Sequence, residues 1–293
     1  MTNALPVDAA PENPDPIELA ELAAGTQSDP SRHIAYFGTE AELIAREIAA
    51  VPRLDACTVV ARHDGGLTGW LLGENDQEIG RIWWWGPVVA PWAEWDDVAD
   101  ALYAAGRRLL PGRLAQEELA SDDRHALLAE FAARHGFVPE EASVALQWAP
   151  SPAESDTRVR AFTRADGDGV ARLHDTIFPG THTNGRQLVE AGRHPIRLVA
   201  EDEAGITGYI AVEIESDGKA YIDYVGVDER ARGQGVGHAL LHSVLAELNE
   251  RDTPGAHLTV RESNAAARAL YAGAGFEEAM LLRPYRKGFL LDA

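Results

Sequence analysis

A short glycine-rich segment of the chain has the residue types of an anion-binding loop. Its members are Arg232, Gly233, Gln234, Gly235, Val236, Gly237 and His238. An apolar, strand-like run precedes it and a helical pattern follows. The first N–H groups of a helix lack backbone partners and its dipole adds positive potential, so this order suits a phosphate. Glycines also let the anion approach the main chain, although an ordinary tight turn has the same sequence.

A second set of residues recurs at fixed spacing downstream of this loop. A strand pattern at 257–260 leads into a short helical pattern that ends in Gly-Phe. The spacing is Asn-x-x-Ala-x-x-x-Tyr-x-x-x-Gly-Phe, at Asn264, Ala267, Tyr271, Gly275 and Phe276. Together with the glycine loop, this order resembles the GNAT superfamily of N-acetyltransferases. The resemblance covers roughly residues 158–290.

The resemblance implies a fold and a co-substrate. The fold is α/β (α+β), with a mixed, mostly antiparallel central sheet flanked by helices and a splayed strand pair at the acetyl-CoA site. The loop would bind the pyrophosphate, while the main chain of Val225, Gly226 and Val227 would pair with the pantetheine arm. Asn264 and Ala267 would contact the same arm, and Asn264 also suits a helix N-cap. No metal is expected.

Two side chains carry the chemistry that the resemblance implies. Tyr271 matches the general acid, since a phenol is protonated at neutral pH and can donate to the departing thiolate. Core packing is its other role. Asp223 lies in an apolar strand, on the face expected to hold Tyr221, Val225 and Val227. It suits a general base, a water-orienting group or a substrate anchor, and a structural role stays open.

Weaker candidates surround this pair. Glu213 and Glu215 end the preceding strand pattern, and His182 and His194 lie in the segment that would cover the acceptor. Three other histidines are predicted on helix surfaces: His174, His238 and His242. The histidines and carboxylates lack the convergent spacing of a metal site.

The chain contains an internal repeat. Residues 61–70 match 200–209 at an offset of 139, which also carries Gly136-Phe137 onto Gly275-Phe276. A match held in register over about eighty residues predicts two tandem GNAT folds. The predicted divisions are a flexible tail at 1–14, a first domain at 15–149, a linker at 150–157 and a second domain at 158–293.

The first copy lacks every matched functional position. The offset places Ala93, Asp96 and Val98 in the loop, and His125 and Ala132 in the later helix. An acidic side chain at a helix N-terminus stabilises the helix but repels a phosphate. The first copy is therefore predicted to keep the scaffold and not to bind acetyl-CoA. A tryptophan run in its third strand, 83–85, is predicted to serve packing.

Composition limits the partners of the chain. A net charge of −21 over 293 residues disfavours nucleic acid and anionic membranes. The same acidity would favour a cationic acceptor, although it also serves solubility. One cysteine excludes an intramolecular disulfide, which fits a cytoplasmic protein. No apolar run is long enough to span a bilayer.

The sequence thus predicts a cytoplasmic N-acetyltransferase that moves an acetyl group from acetyl-CoA to a primary amine of a small molecule or peptide. The thioester is already activated, so direct attack needs no enzyme nucleophile. Mycothiol synthases share the tandem architecture, so an acetyltransferase of that type is a second hypothesis. A non-catalytic acyl-CoA sensor is a third. The acceptor and the oligomeric state stay open.

Overall fold

The computed structural model describes residues 8–35, 37–76, 80–110, 116–179, 181, 183–190 and 192–288. The chain forms two compact units, of which unit 1 is built from two separate segments and unit 2 is one continuous segment. Unit 1 comprises Met1–Ser143 and Leu281–Ala293, and unit 2 comprises Val144–Met280. The division differs from the predicted linker at 150–157, for a reason that the strand order of each unit makes clear.

Unit 1 begins before the predicted first domain. Its strands are β1 Ala9–Pro11, β2 Thr58–His63, β3 Gly66–Asp76, β4 Arg81–Val89, β5 Gln116–Asp122 and β6 Val138–Pro139. Its helices are α1 Pro16–Gln27, α2 Ala41–Ala50, α3 Leu54–Cys57, α4 Trp95–Arg107 and α5 Ala126–Arg134. The strand β1 pairs with β2, so part of the expected flexible tail is ordered, and residues 1–7 lie outside the described residues.

Unit 2 repeats this order of elements. Its strands are β7 Ser143–Trp148, whose first residue belongs to unit 1, then β8 Val159–Ala161, β9 Ile196–Asp202, β10 Gly205–Ile214, β11 Ala220–Val227 and β12 Ala256–Arg261. Its helices are α6 Gly167–Ile177, α7 Gly185–Val189, α8 Val236–Glu250 and α9 Ala265–Gly273. The last strand of the chain, β13 Glu277–Gly288, is shared between the two units.

The strand order explains the unit boundaries. In unit 1 the order is β1-β2-β3-β4-β5-β13, where residues 282–288 of β13 lie antiparallel to β5 and β6 lies on the far side. In unit 2 the order is β8-β9-β10-β11-β12-β7. The repeat offset of 139 carries Ser143 at the start of β7 onto Leu282 of β13. Each unit therefore holds, beside its fifth strand, the last strand of the other copy.

Both sheets are mostly antiparallel, as predicted. The exceptions are β4 with β5 and β11 with β12, which run parallel because a helix connects each pair. These parallel contacts are short. β4 pairs with β5 from Arg81 to Trp83, and β11 pairs with β12 at Ala220 and Tyr221. Beyond these residues the two strands of each pair separate.

The paired residues of β4 and β5 in unit 1 include a buried carboxylate. Glu117 is fully buried, and its Oε2 accepts hydrogen bonds from the Trp84 indole at 2.8 Å and the Tyr103 hydroxyl at 2.6 Å. Trp84 is the tryptophan of the 83–85 run that lies in the core, and Trp85 packs edge-on against Phe37. Aromatic side chains of this run therefore serve packing, as expected.

The core of unit 2 depends on a close contact between β10 and β11. A Cβ at Gly226 would overlap the ring of Tyr209, which is 2% exposed. Burial raises the pKa of Tyr209, and its hydroxyl bonds to His174 in α6 at 2.7 Å. Glycine at this position lets the tyrosine lie flat across the strand.

Gly226→Ala is expected to destabilise the chain by about 1–3 kcal/mol, because the added methyl group must displace a buried ring. Gly273→Ala in α9 is the matched control. Its Cβ meets no atom within 4 Å, and removing glycine from a helix stabilises by up to about 1 kcal/mol. Urea unfolding of both variants tests the contact. Equal midpoints would contradict it.

Candidate active site

The glycine loop presents an open helix N-terminus. A 3₁₀ turn at Glu229–Ala231 precedes the loop, and α8 starts at Val236. Gly233 and Gly235 have φ angles of +74° and +79°, which side-chain-bearing residues rarely adopt. Gly235 is the N-cap of α8, so no side chain caps the helix, and its first turn contains no acidic residue. The first N–H groups of α8 are thus available to an external anion.

The charges around this loop differ in their availability. Arg230 is committed to Asp202 at 2.7 Å and to Asp228 at 3.1 Å. Arg158 bridges Asp156 at 2.7 Å and donates to the carbonyl of Gln234 at 3.1 Å, which braces the loop. Arg232 is exposed and has no ion-pair partner in the described part of the chain. It is therefore the cation best placed to receive a phosphate.

The equivalent helix of unit 1 begins differently. The first turn of α4 contains Asp96 and Asp97. Asp96 forms an ion pair with Arg134 at 2.9 Å. Negative side chains at this end satisfy the helix dipole internally, whereas the loop of unit 2 leaves that role to a ligand.

The main chain of β11 is open beside the loop. The strand pairs with β10 along its length, but with β12 its printed partners are Ala220 with Ala256 and Tyr221 with His257. In the described stretch from 222 to 227, the edge facing β12 therefore has no ladder partner. An unpaired strand edge accepts an extended amide-containing chain as an added strand. Val225, Gly226 and Val227 lie on this edge, where a pantetheine arm was expected.

A β-bulge at Asp223 changes which side chains share a face. Ala211 pairs with Tyr224, but the next residue, Val212, pairs with Ile222, so Asp223 is the extra residue. Paired residues share a face, and the bulge therefore reverses the alternation along β11. The prediction that Tyr221 shares a face with Val225 and Val227 is wrong for this reason.

Asp223 forms a buried pair with His194. The distance from His194 Nε2 to Asp223 Oδ2 is 2.8 Å, and the side chains are 1% and 4% exposed. The sequence named both residues as candidates but did not connect them, because they are 29 residues apart. The sequence feature that marks His194 is its place in a His-Pro pair directly before β9.

Tyr271 lies in α9 with 8% of its surface exposed, and its ring packs edge-on against Phe276. Burial, with a smaller contribution from Tyr221, raises the pKa of Tyr271 to about 12. The phenol is therefore protonated at neutral pH and able to donate. Burial first, and then the Asp223 charge, also raise the pKa of Tyr221. Tyr221 thus lies in the electrostatic neighbourhood of both candidate catalytic residues.

Asn264 occupies the N-cap of α9, where its Oδ1 accepts a hydrogen bond from the N–H of Ala267 at 3.1 Å. The predicted capping role is thus present in the structure. Its expected contact with the cofactor arm stays a prediction. The offset places His125 of unit 1 at this position, and His125 Nδ1 caps α5 in the same way at 3.1 Å.

The remaining histidines of unit 2 differ in burial. His174 is fully buried, not on the surface as predicted, because its two ring nitrogens bond to Tyr209 and to the carbonyl of Thr183. His238 is exposed on α8 and stacks on His242 at 4.1 Å. His182 lies outside the described residues.

The two weaker carboxylate candidates are occupied by ion pairs. Glu213 bonds to Arg193 at 2.9 Å, and Glu215 bonds to His257 at 2.6 Å. Among the described residues, no group of three or more His, Cys, Asp or Glu side chains is arranged to hold a metal ion. In the same part of the chain, no helix is both long and apolar enough to cross a membrane.

Unit 2 thus combines an open strand edge, an uncapped glycine-loop helix and a buried phenol. Residues 158–276 match the family model of the acetyltransferase (GNAT) family. This stretch contains the glycine loop, Asp223 and Tyr271. This segment of the chain is therefore similar to the GNAT acetyltransferases.

Two curated relatives and one solved structure are similar to the chain. A [ribosomal protein bS18]-alanine N-acetyltransferase of Escherichia coli (strain K12) is 46% identical over 61 residues, 21% of this chain and 41% of that protein. The match thus spans less than half of that relative's length. A mycothiol acetyltransferase of Clavibacter michiganensis subsp. michiganensis is 27% identical over 283 residues, 92% of this chain and 84% of that protein.

The solved structure is a GCN5-related N-acetyltransferase from Sphaerobacter thermophilus. It superposes with a TM-score of 0.79 at 21% identity, covering 96% of this chain and 95% of that one. At this identity the likeness concerns the fold alone. It extends over both units, so the GNAT-like fold is not confined to the segment that the family model matches.

Arg232→Gln is expected to weaken acetyl-CoA binding by about tenfold, since one charge-assisted contact to a phosphate is lost. Arg186→Gln removes an equal charge from an exposed side chain in α7 and serves as the control. Isothermal titration with acetyl-CoA at fixed salt compares the two. Equal losses would mean that net charge, and not the loop, governs binding.

Proposed function

We propose that unit 2 is an acetyl-CoA-dependent N-acetyltransferase whose acceptor is a primary amine of a small molecule or a peptide. The observation that carries the proposal is the separation of β11 from β12 beside an uncapped glycine-loop helix. Such a cleft offers main-chain groups to a pantetheine arm and N–H groups to a pyrophosphate. Asp223 and Tyr271 belong to the elements that border it.

Binding of acetyl-CoA would use the residues that the sequence identified. The pyrophosphate would meet the N–H groups from Gly233 to His238 and the guanidinium of Arg232. The pantetheine amides would pair with the β11 edge from Val225 to Val227. Asn264 and Ala267 at the start of α9 would border the same arm.

The reaction needs three operations. The acceptor ammonium, with an ordinary pKa of about 10.4, must lose a proton before its nitrogen can attack. The neutral amine then attacks the thioester carbon, the C–S bond breaks, and the thiolate takes a proton from Tyr271. In sum, an ammonium and acetyl-CoA give an amide, CoA thiol and one proton, and no covalent enzyme intermediate is required.

Two roles suit Asp223 in this scheme. Its carboxylate can accept the proton from the ammonium, directly or through a water molecule. It can also hold the ammonium as an anchor while water takes the proton. Both roles need a carboxylate next to the cleft, and His194 bonds to that carboxylate at 2.8 Å.

The relatives suggest two acceptor classes. The mycothiol acetyltransferase covers most of this chain, which favours a mycothiol-type acceptor as the second candidate function. The bS18-alanine N-acetyltransferase matches a shorter segment at higher identity, which favours a peptide N-terminus. A screen of thiol release from acetyl-CoA should include the amine substrate of mycothiol acetyltransferases, an alanine-initiated peptide and a panel of primary amines.

Acetyl-CoA is expected to bind with a stoichiometry of one per chain, because the first turn of α4 in unit 1 contains Asp96 and Asp97. Isothermal titration of the full chain measures this number directly. Two sites per chain would contradict the assignment of a single functional copy. Binding at one site without thiol release for any amine would favour a non-catalytic acyl-CoA sensor.

Tyr271→Phe is expected to lower kcat by about 10²–10⁴-fold, the range of general acid catalysis. Acetyl-CoA affinity should change far less, because the loop and the strand edge are intact. Tyr285→Phe, which removes a buried phenol from unit 1, is the control. Steady-state kinetics and titration of both variants separate the effects, and an unchanged kcat would remove Tyr271 from the proton-donating role.

A further inference from the structure

The buried His194–Asp223 pair has a feature that the proposed reaction leaves unused. Asp223 Oδ2 accepts from His194 Nε2, while Oδ1 has no hydrogen-bond partner among the described residues. Oδ1 nevertheless keeps some exposed surface, because it is not among the fully buried side-chain atoms that lack a hydrogen-bond partner. A carboxylate with 4% of its side chain exposed is costly unless its charge is compensated. Oδ2 is therefore held by His194, and Oδ1 can bind a further group.

Three adjacent strands place His194 at this point. β9 begins at Ile196, which pairs with Val212 of β10, and Val212 pairs with Ile222 of β11. His194 precedes this row by two residues, and Asp223 follows it by one. Since Asp223 is the bulge residue, its position in the row is not occupied by a β10 partner. His194 therefore lies in the segment before β9, and its side chain reaches the bulge residue Asp223 from there.

The imidazole is held in one orientation relative to the carboxylate. An ionised carboxylate only accepts, so Nε2 must carry a proton and donate it to Oδ2. The ring of Tyr224 packs edge-on at 6.2 Å from that of His194. The neighbouring Arg193 is engaged by Glu213 at 2.9 Å and does not replace the histidine as the donor.

We infer that His194 is a positioning residue, which fixes Asp223 through Oδ2 and leaves Oδ1 to receive the acceptor's ammonium group. The inference rests on the proposed function and deepens it. In the proton-transfer step, one N–H bond of the ammonium breaks and an O–H bond forms at Oδ1. The electron pair stays on the amine nitrogen, which then attacks the thioester.

Asp223 contributes a buried carboxylate, and the His194 hydrogen bond to Oδ2 leaves Oδ1 as its open oxygen. A buried carboxylate favours a cationic amine over a neutral or anionic acceptor of the same shape. The acceptor class is therefore a primary ammonium presented at the β11 bulge. His194 itself does not touch the acceptor in this arrangement.

The test compares His194→Leu, which removes the donor, with His194→Gln, whose amide keeps an N–H donor. In thiol-release kinetics with acetyl-CoA and the fastest amine of the panel above, His194→Leu should lower kcat/KM for the amine by about 10–100-fold, the loss of one hydrogen bond to a charged group. His194→Gln should recover most of this loss. The affinity for acetyl-CoA should change less than about twofold in both, since neither touches the loop.

A double-mutant cycle separates positioning from a general structural role. In the Asp223→Asn background, His194→Leu should add little further loss, because the interaction is already broken. His135→Leu is the control, since His135 bonds to Asp100 of unit 1 at 2.7 Å through the same ring nitrogen, Nε2. It should leave kcat/KM unchanged.

Several outcomes would overturn the inference. They are an unchanged kcat/KM in His194→Leu, equal losses of kcat/KM in the leucine and glutamine variants, and full additivity of the His194→Leu and Asp223→Asn losses. If the leucine variant does not fold, long-range ¹H–¹⁵N spectra of the full wild-type chain decide: a His194 protonated at Nδ1 instead of Nε2 contradicts the pair. A wild type that acetylates no amine would refute the proposed function and this inference together, whereas turnover that is insensitive to His194 refutes the inference alone.

Discussion

The separation of β11 from β12 is the constraint on which the functional half of this protein depends. Parallel pairing ends at Tyr221, so six residues of a central strand lack a ladder partner on one edge. Buried main-chain groups must be satisfied, and a central position in the sheet makes such an edge expensive unless water or a ligand occupies it. A 3₁₀ turn at Glu229–Ala231 links the open strand to the glycine loop, so the free edge and the free helix N-terminus lie within ten residues of each other in the chain.

Local patterns predicted most of this scaffold. The strand-like run before the glycine loop is β11, the helical pattern after it is α8, and the strand pattern at 257–260 lies within β12. Periodicity and glycine placement are sufficient for such elements because they act within a single turn or strand. The glycines of the loop were visible in the sequence, and two of them, Gly233 and Gly235, adopt left-handed φ angles in the structure.

Features that depend on two distant segments were not accessible in this way. The bulge at Asp223 arises from how β10 meets β11, and alternation along one strand does not reveal it. His174 was expected on a surface because its partners, Tyr209 and Thr183, belong to other elements. The pairing of His194 with Asp223 likewise needs the register of three strands. The residue types were visible in the sequence, but their connections were not.

The exchange of last strands has a consequence for how the two copies can change over time. A cut at 150–157 would leave residues 144–148 on one fragment and 281–288 on the other, so each fragment would lack a strand of its own sheet. The first copy cannot be discarded even though its loop has an acidic helix start. The first copy can lose its functional residues, but it must still supply a strand to the other sheet. Gene duplication here has therefore produced two copies that depend on each other.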